Sequence, residues 1–145
     1  MVWTEEEFGV GMPLIDSQHC NIFKLLEDLV GTMRRQGTPA ELGVALDGLL
    51  EYTKYHFQAE KMILDQYKYP DAESHGIEHQ IFTDKITKRI NEFKQNMMKN
   101  DGDNGDFKKM DLELITFLGD WLTEHIQKRD RDYGNYCRQY PISPL

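Results

Sequence analysis

The feature that most constrains this chain is a helical period of apolar residues that runs through four long segments. In each segment the apolar side chains recur every three or four residues, which places them on one face of an α-helix. Gly37, Pro70 and the stretch NDGDNGD at residues 100–106 interrupt the period and predict loops. Because these connections are short, we predict an all-α fold, an up-down-up-down four-helix bundle. The predicted helices cover residues 17–36, 39–68, 71–99 and 107–133.

The two ends of the chain lack this period. Residues 1–15 are interrupted by two glycines and a proline and predict an extended N-terminal arm, after which Asp16 or Ser17 is suited to cap the first helix. Residues 134–145 contain two prolines and predict an irregular C-terminal tail, which either packs on the bundle or meets a partner. The length predicts a single domain, residues 1–145.

Composition and charge limit the kinds of molecule that the chain is expected to bind. The formal net charge is −8, which disfavours nucleic acid and anionic membrane surfaces. No stretch approaches the roughly 20 apolar residues of a membrane span, and the acidic N-terminus is unlike a signal peptide. Cys20 and Cys137 are too few for a disulfide framework, which indicates a reducing compartment. We therefore predict a cytoplasmic protein of undetermined oligomeric state, a monomer included.

All five histidines fall on the predicted inward faces, and every predicted helix contributes at least one. A single histidine on an apolar face is ordinarily a hydrogen-bonded core residue. Five that bound nothing would together leave on the order of several kcal/mol of unmet polar burial, whereas a metal ion converts that penalty into binding free energy. The set predicts a metal site built from His19, His56, His75, His79 and His125.

Carboxylates accompany the histidines at helical spacing. Residues four apart on an α-helix differ in direction by about 40°, so His56 and Glu60 reach one site, as do His75 and His79. With Asp130 near the end of the last helix, there are seven candidate ligands, which suit two metal ions bridged by carboxylates. Nitrogen and oxygen ligands without thiolate favour iron over a structural zinc.

The ligand order H…HxxxE…HxxxH…HxxxxD, with DSQH opening the first helix and WLTEHI in the last, resembles the hemerythrins, more specifically the bacterial single-domain hemerythrins. The resemblance covers about residues 3–133 and fills all seven ligand positions. It implies two iron ions per chain, one held by His75, His79 and His125 and the other by His19 and His56. Glu60 and Asp130 would bridge the pair, together with an oxo or hydroxo group.

The same resemblance implies reversible binding of dioxygen at the second iron, which is one ligand short. We therefore expect a carrier, storage, delivery or scavenging protein rather than an enzyme. Apolar neighbours of the ligands are expected to wall an oxygen pocket and keep it dry. They are Ile22, Phe57, Trp121, Leu122 and Ile126. Cys20 follows a ligand but points about 100° away from it, which favours a packed thiol over a ligand.

Two alternatives stay open. The same di-iron site would equally suit oxygen or redox sensing, or detoxification of peroxide or NO. Separately, HGIEH fits the H-x-x-E-H pattern of inverted zinc peptidases, with Glu78 as the general base; three inward histidines would then have no role. If the chain is instead hemerythrin-like, Glu78 is predicted to be a surface residue.

The stretch HIQKRD, residues 125–130, breaks the spacing of four. On a regular helix His125 and Asp130 differ by about 140°, so both reach one site only if the helix is distorted between them. A π-bulge inserts one residue into a turn and would make a spacing of five act as four; a frayed or overwound helix end is the alternative. Asp132 is nearly in line with His125 but about 10 Å along the axis, and it is not predicted to be a ligand.

Overall fold

A computed structural model of the chain describes the backbone of residues 3–99 and 104–141 and the side chains of residues 3–96 and 112–141. Within these residues the chain forms six α-helices and one π-helical segment, the π-turn. They are α1 (Glu5–Phe8), α2 (Pro13–Arg34), α3 (Pro39–Gln66), α4 (Ala72–Lys99), α5 (Asn104–Glu124), the π-turn (His125–Asp130) and α6 (Arg131–Gln139).

The four long helices close a bundle. α2 packs against α3 and α5, and α4 packs against the same two helices. The connections at residues 35–38 and 67–71 are short, so the helices that they join run antiparallel. The predicted all-α four-helix bundle is confirmed. None of the helices in the described part of the chain combines the length and apolar character that a membrane crossing requires.

Two buried clusters fill the interior. The large cluster contains Ile22, Leu26, Leu29, Leu42, Leu46, Leu49, Leu50, Phe82, Ile86, Ile90, Phe93, Leu114, Leu118 and Leu122. The small cluster contains Phe8, Val10, Ile15, Phe23, Leu64, Ile126, Tyr133 and Cys137. Along α3 the last fully buried member of the large cluster is Leu50, and the first fully buried member of the small cluster is Leu64. The candidate ligands His56 and Glu60 lie between them.

Both α2 and α3 end on a residue in the left-handed region. Lys68 has a φ of 54°, and the next N–H, that of Tyr69, bonds to the Leu64 carbonyl at 3.0 Å. This is the Schellman arrangement that satisfies the last carbonyls of a helix. α2 ends similarly, with Gln36 at a φ of 57°. Gly37, predicted to stop that helix, follows the left-handed residue rather than occupying its place.

The N-terminal arm differs from the prediction. Glu5–Phe8 are helical, and α2 begins at Pro13 instead of residue 17, because the fixed φ of proline suits the first position of a helix. Neither Asp16 nor Ser17 is therefore the cap. The Asp16 carboxylate instead accepts the Val10 N–H at 2.8 Å, which holds the arm against the bundle.

The prediction of an irregular tail from residue 134 is also wrong, because Arg131–Gln139 continue the last helix as α6. On the inner face of α6, Cys137 is buried. Gly134 lies so close to the arm that a Cβ there would clash with the Val10 carbonyl oxygen, and Arg138 donates to the same oxygen. α6 thus packs on the N-terminal arm.

The start of α5 is earlier than predicted. The stretch at 100–106 was predicted to be a loop, and its residues 100–103 lie outside the described backbone. The described chain resumes as helix at Asn104 rather than at residue 107.

Replacing Lys68 with glycine is expected to stabilise the fold by about 1 kcal/mol, since glycine adopts a positive φ without the Cβ penalty. Lys54→Gly is the matched control: Lys54 is an exposed residue inside α3, where glycine destabilises by about 1 kcal/mol. Chemical denaturation of both variants, in the same metal state as the parent, measures the two shifts. Shifts of the same sign would contradict the assignment of Lys68 as a strained helix terminus.

Candidate metal centre

Side chains from four elements converge between the two clusters. α2 provides His19, α3 provides His56 and Glu60, α4 provides His75 and His79, and the π-turn provides His125 and Asp130. All of them are buried, with at most 7% of their surface exposed. The structure thus brings together every residue that the sequence singled out as a candidate ligand.

The donor atoms fall into two groups that share Asp130. The three-histidine group contains His75, His79, His125 and Asp130, and the two-histidine group contains His19, His56, Glu60 and Asp130. Within each group the donor atoms lie within 4.8 Å of one another. Cys20 is half-buried and lies outside both groups.

Glu60 faces both groups at once. Its Oε1 lies 3.0 Å from His56 Nε2 and 3.4 Å from His19 Nε2. Its Oε2 lies 3.2 Å from His79 Nε2 and 3.7 Å from His75 Nε2. The carboxylate therefore presents one oxygen to each group, which is the orientation of a bridging ligand.

Asp130 does the same from the opposite direction. Its Oδ2 lies 3.1 Å from His19 Nε2, in the two-histidine group. Its Oδ1 lies 3.1 Å from both His75 Nε2 and His125 Nε2, in the three-histidine group. Each of the two groups thus receives one oxygen from each carboxylate.

Several atoms of the site are buried without a hydrogen-bond partner among the described residues. They are His19 Nδ1 and Nε2, His75 Nε2, Glu60 Oε2 and Asp130 Oδ1. Polar atoms buried in this way are destabilising unless something satisfies them. A cation that these nitrogen and oxygen atoms coordinate would satisfy most of them, so the residues present fit a metal.

The spacing of the donors also fits metal ligation. His79 Nε2 lies 2.9 Å from His125 Nε2. Two donors that each lie about 2.1 Å from one ion, at right angles, are separated by about 3.0 Å. The distances of 3.0 to 3.2 Å from imidazole nitrogens to carboxylate oxygens match the same separation.

The charges of the buried groups show what a metal would replace. Burial opposes ionisation of Glu60 and Asp130, and the charge of Glu60 opposes it further at Asp130, but the surrounding imidazoles outweigh both effects and hold the pKa of each carboxyl well below its usual range. Burial likewise opposes protonation of His19 and His75, yet the adjacent carboxylates of Asp130 and Glu60 raise both pKa values to about 9. Burial lowers the pKa of His79 to about 3. Metal binding would displace the protons of His19 and His75.

The distortion predicted in HIQKRD is confirmed. Residues His125–Asp130 form the π-turn, which α5 enters and α6 leaves without a break. The extra residue turns Asp130 inward, with 1% of its surface exposed. Asp132 is exposed and outside both groups, as the sequence predicts.

Two supporting residues were missed from the sequence. Gln18 Oε1 accepts a hydrogen bond from His56 Nδ1 at 2.6 Å, which leaves Nε2 of that ring to face the site. The Tyr133 hydroxyl donates to Glu60 Oε1 at 2.6 Å; burial and the negative charge of the nearby carboxylates raise the pKa of Tyr133 well above its usual value. Gln18 adjoins His19, and Tyr133 lies three residues after Asp130, the only signals that the sequence offers.

Glu78 is more than the surface residue that was predicted. Its carboxylate lies 3.5 Å from His125 Nδ1 and accepts from Arg129 Nε at 3.0 Å. Arg129 also donates to Ser74 at 3.4 Å. A half-exposed carboxylate that faces the outer nitrogen of a ligand favours the orientation in which the inner nitrogen points to the site.

The apolar residues predicted to wall an oxygen pocket lie on two sides of the site. Ile22 and Leu122 belong to the large cluster, with Phe57 and Trp121 packed against it. Phe57 stacks on the His79 ring at 3.7 Å, and Trp121 stacks on the His125 ring at 4.3 Å. Ile126 instead belongs to the small cluster. The pocket itself stays a prediction.

Known proteins match almost the whole chain. A family model described as the hemerythrin HHE cation binding domain matches residues 10–137. A bacteriohemerythrin of Methylococcus capsulatus is 30% identical over 92% of this chain and 94% of its own length. Myohemerythrin-1 of Phascolopsis gouldii is 26% identical over 91% of this chain and 90% of its own length.

The same likeness holds in three dimensions. A crystal structure of wild-type hemerythrin aligns with a TM-score of 0.75 at 30% identity, over 93% of this chain and 95% of the other. The matched residues 10–137 include every member of the two histidine groups. The chain therefore belongs to the hemerythrin family of oxygen-binding proteins.

Proposed function

We propose that the chain binds dioxygen reversibly at a carboxylate-bridged di-iron centre and serves as an oxygen carrier, store or delivery protein. The observation that supports this most is the pair of carboxylates, Glu60 and Asp130, each of which presents one oxygen to both histidine groups. Mixed imidazole and carboxylate donors suit iron, and hemerythrins bind iron. A pair of bridging carboxylates has a clear purpose only when two ions are bound.

The two histidine groups differ by one imidazole, and this difference supports one open coordination position. The three-histidine group would hold one iron, and the two-histidine group, with one imidazole fewer, would hold the other. Bound iron supplies the electrons and the vacant coordination position that dioxygen needs. Glu60 and Asp130 would keep the two ions at a fixed separation, together with an oxo or hydroxo bridge.

Residues around the ligands fix their orientation. Gln18 holds the outer nitrogen of His56 at 2.6 Å, and Tyr133 holds Oε1 of Glu60 at 2.6 Å. Such outer contacts raise metal affinity by about 10- to 100-fold in known metal sites. They bear on the two-histidine group, where dioxygen is proposed to bind.

The apolar side chains near the site would exclude water. Ile22 and Leu122 are buried, with 1% and 3% of their surface exposed. Phe57 and Trp121 cover the faces of two ligand rings. Exclusion of water slows proton entry and the loss of reduced oxygen, which favours reversible binding over catalytic turnover.

We propose that residues 1–145 form one domain and that the chain acts on dioxygen as a binding protein rather than as an enzyme. Both cysteines are free thiols, which supports a reducing compartment such as the cytoplasm.

A visible spectrum tests the function directly. Iron-loaded protein is expected to contain two irons per chain, and its reduced form should develop an absorption band in air that disappears on deoxygenation. The band should return over repeated cycles. A band that decays at once with steady consumption of dioxygen would contradict the carrier function and indicate an oxidase.

Replacing Asp130 with alanine is expected to abolish the reversible band and weaken iron binding by more than the roughly 100-fold that an outer contact accounts for. The reason is that Asp130 is shared by both groups. Asp132→Ala removes an equivalent side chain from the exposed face two residues later, and it should retain iron and the band. Iron analysis and the spectrum measure both variants; similar behaviour would remove Asp130 from the site.

Replacing Leu122 with serine is expected to speed autoxidation of the oxygenated protein by about tenfold or more, because a hydroxyl admits water beside His125. Leu118→Ser is the matched control. Leu118 is equally buried, with 2% of its surface exposed, but it lies one turn further from the ligand. Decay of the band in air measures the rate. Equal acceleration in both variants would show that general loosening of the core, not the pocket, controls autoxidation.

A further inference from the structure

Oxygen binding accounts for only the innermost member of a row of tyrosines that begins in the small cluster. Four of the seven tyrosines of the chain stand in a continuous row at one end of the bundle, which we call the tyrosine chain. Its members, from the inside outward, are Tyr133, Tyr69, Tyr136 and Tyr140.

The inner end of the tyrosine chain touches the metal site. Tyr133 is fully buried, with 0% of its surface exposed. Its hydroxyl donates to Glu60 Oε1 at 2.6 Å, and its ring lies 5.3 Å from the ring of His75. The phenol is therefore in contact with one residue of each histidine group.

The intervening rings follow at short distances. The Tyr133 and Tyr69 ring centroids are 6.4 Å apart, those of Tyr69 and Tyr136 are 5.2 Å apart, and those of Tyr136 and Tyr140 are 4.8 Å apart. Rings at these separations are in or near van der Waals contact. Electrons move readily between neighbouring aromatic rings of the same kind, because donor and acceptor have similar potentials.

The outer end reaches solvent. Tyr69 and Tyr136 are half-buried, and Tyr140 exposes 55% of its surface. Phenylalanine would pack in the same places without a hydroxyl that needs a partner. What tyrosine adds to phenylalanine is a side chain that can lose one electron and one proton together.

We propose that the tyrosine chain carries oxidising equivalents from the metal site to the surface, so that the protein reduces peroxide at the expense of a one-electron donor. This goes beyond reversible oxygen binding, although it rests on iron being bound at the same centre. Hydrogen peroxide is the oxidant, and ascorbate is a suitable donor.

The electrons and protons balance as follows. Hydrogen peroxide takes up two electrons and two protons to become two waters. With the iron diferric at the start and at the end, Tyr133 gives up one electron and its hydroxyl proton, and hydrogen peroxide takes up both. The Tyr133 radical then takes one electron and one proton from Tyr69.

Transfer continues in the same way through Tyr136 to Tyr140, where an ascorbate anion gives one electron and one proton. Two such transfers, each of one electron along the whole tyrosine chain, complete the reaction. Two ascorbate anions and one hydrogen peroxide thus become two ascorbyl radicals and two waters. The tyrosines and the site return to their starting state.

The experiment uses diferric protein whose iron content and reversible oxygen band have first been verified. Hydrogen peroxide is added with a nitroso spin trap, and the trapped tyrosine is identified by electron paramagnetic resonance and peptide mass spectrometry. Peroxide-dependent oxidation of ascorbate is measured in parallel. We expect the adduct on Tyr140 or Tyr136, and none in metal-free protein.

Two variants test whether the outer tyrosines are oxidised through the tyrosine chain or only because they are exposed to solvent. Tyr69→Phe breaks the row while keeping the packing; it should lower both the outer adduct and ascorbate oxidation to the metal-free level, with iron content and oxygen band unchanged. Tyr55→Phe is the control, since Tyr55 exposes 63% of its surface and its nearest aromatic contact is Tyr52. It should change neither readout.

The outcomes that overturn the inference are distinct from those that overturn the proposed function. An adduct on Tyr55 equal to that on Tyr140, an adduct confined to Trp121, or an outer adduct that survives Tyr69→Phe would each exclude the tyrosine chain while leaving oxygen binding intact. A chain that binds no iron would overturn both. A missing oxygen band, with iron bound and the adduct on Tyr140, would overturn oxygen binding alone.

Discussion

The structure depends on the burial of two carboxylates in the middle of a helical bundle. Glu60 and Asp130 expose 0% and 1% of their surface, and an unpaired carboxylate so deeply buried would be destabilising by several kcal/mol or more, roughly the whole margin of a domain. A single helix cannot surround a carboxylate with donors. The compensating imidazoles therefore come from all four long segments, at one level of the bundle, and the packing of those segments is set by the need to meet there.

The small cluster connects the buried carboxylate of Glu60 to both ends of the chain. α6 places Tyr133 against Glu60, and the N-terminal arm packs on α6 through the contact of Gly134 with the Val10 carbonyl. Asp16 fastens the arm in turn by accepting the Val10 N–H. The arm thus supports the tyrosine that positions a bridging carboxylate. The large cluster has the simpler task of holding the helices at a fixed separation.

The period of the sequence was enough to predict the bundle and the convergence of the candidate ligands, because direction around a helix axis follows from residue number alone. The same arithmetic showed that His125 and Asp130 needed a distorted turn. The helical period could not predict contacts between side chains on different helices. Gln18 was a polar residue beside a ligand, Tyr133 could be oriented only once the π-turn was known, and the role of Glu78 required Arg129 from another element.

The π-turn has a consequence for how such sites are recognised in other chains. It is an α-helical stretch with one residue added, so the HxxxxD spacing here is directionally equivalent to HxxxD on a regular helix. Loss of one residue between His125 and Asp130 would leave both side chains facing inward and would keep α6 in phase with the arm. Deletion of one residue at this place is therefore a milder event than substitution of a ligand, and a search that demands a fixed spacing would separate chains whose metal centres are the same.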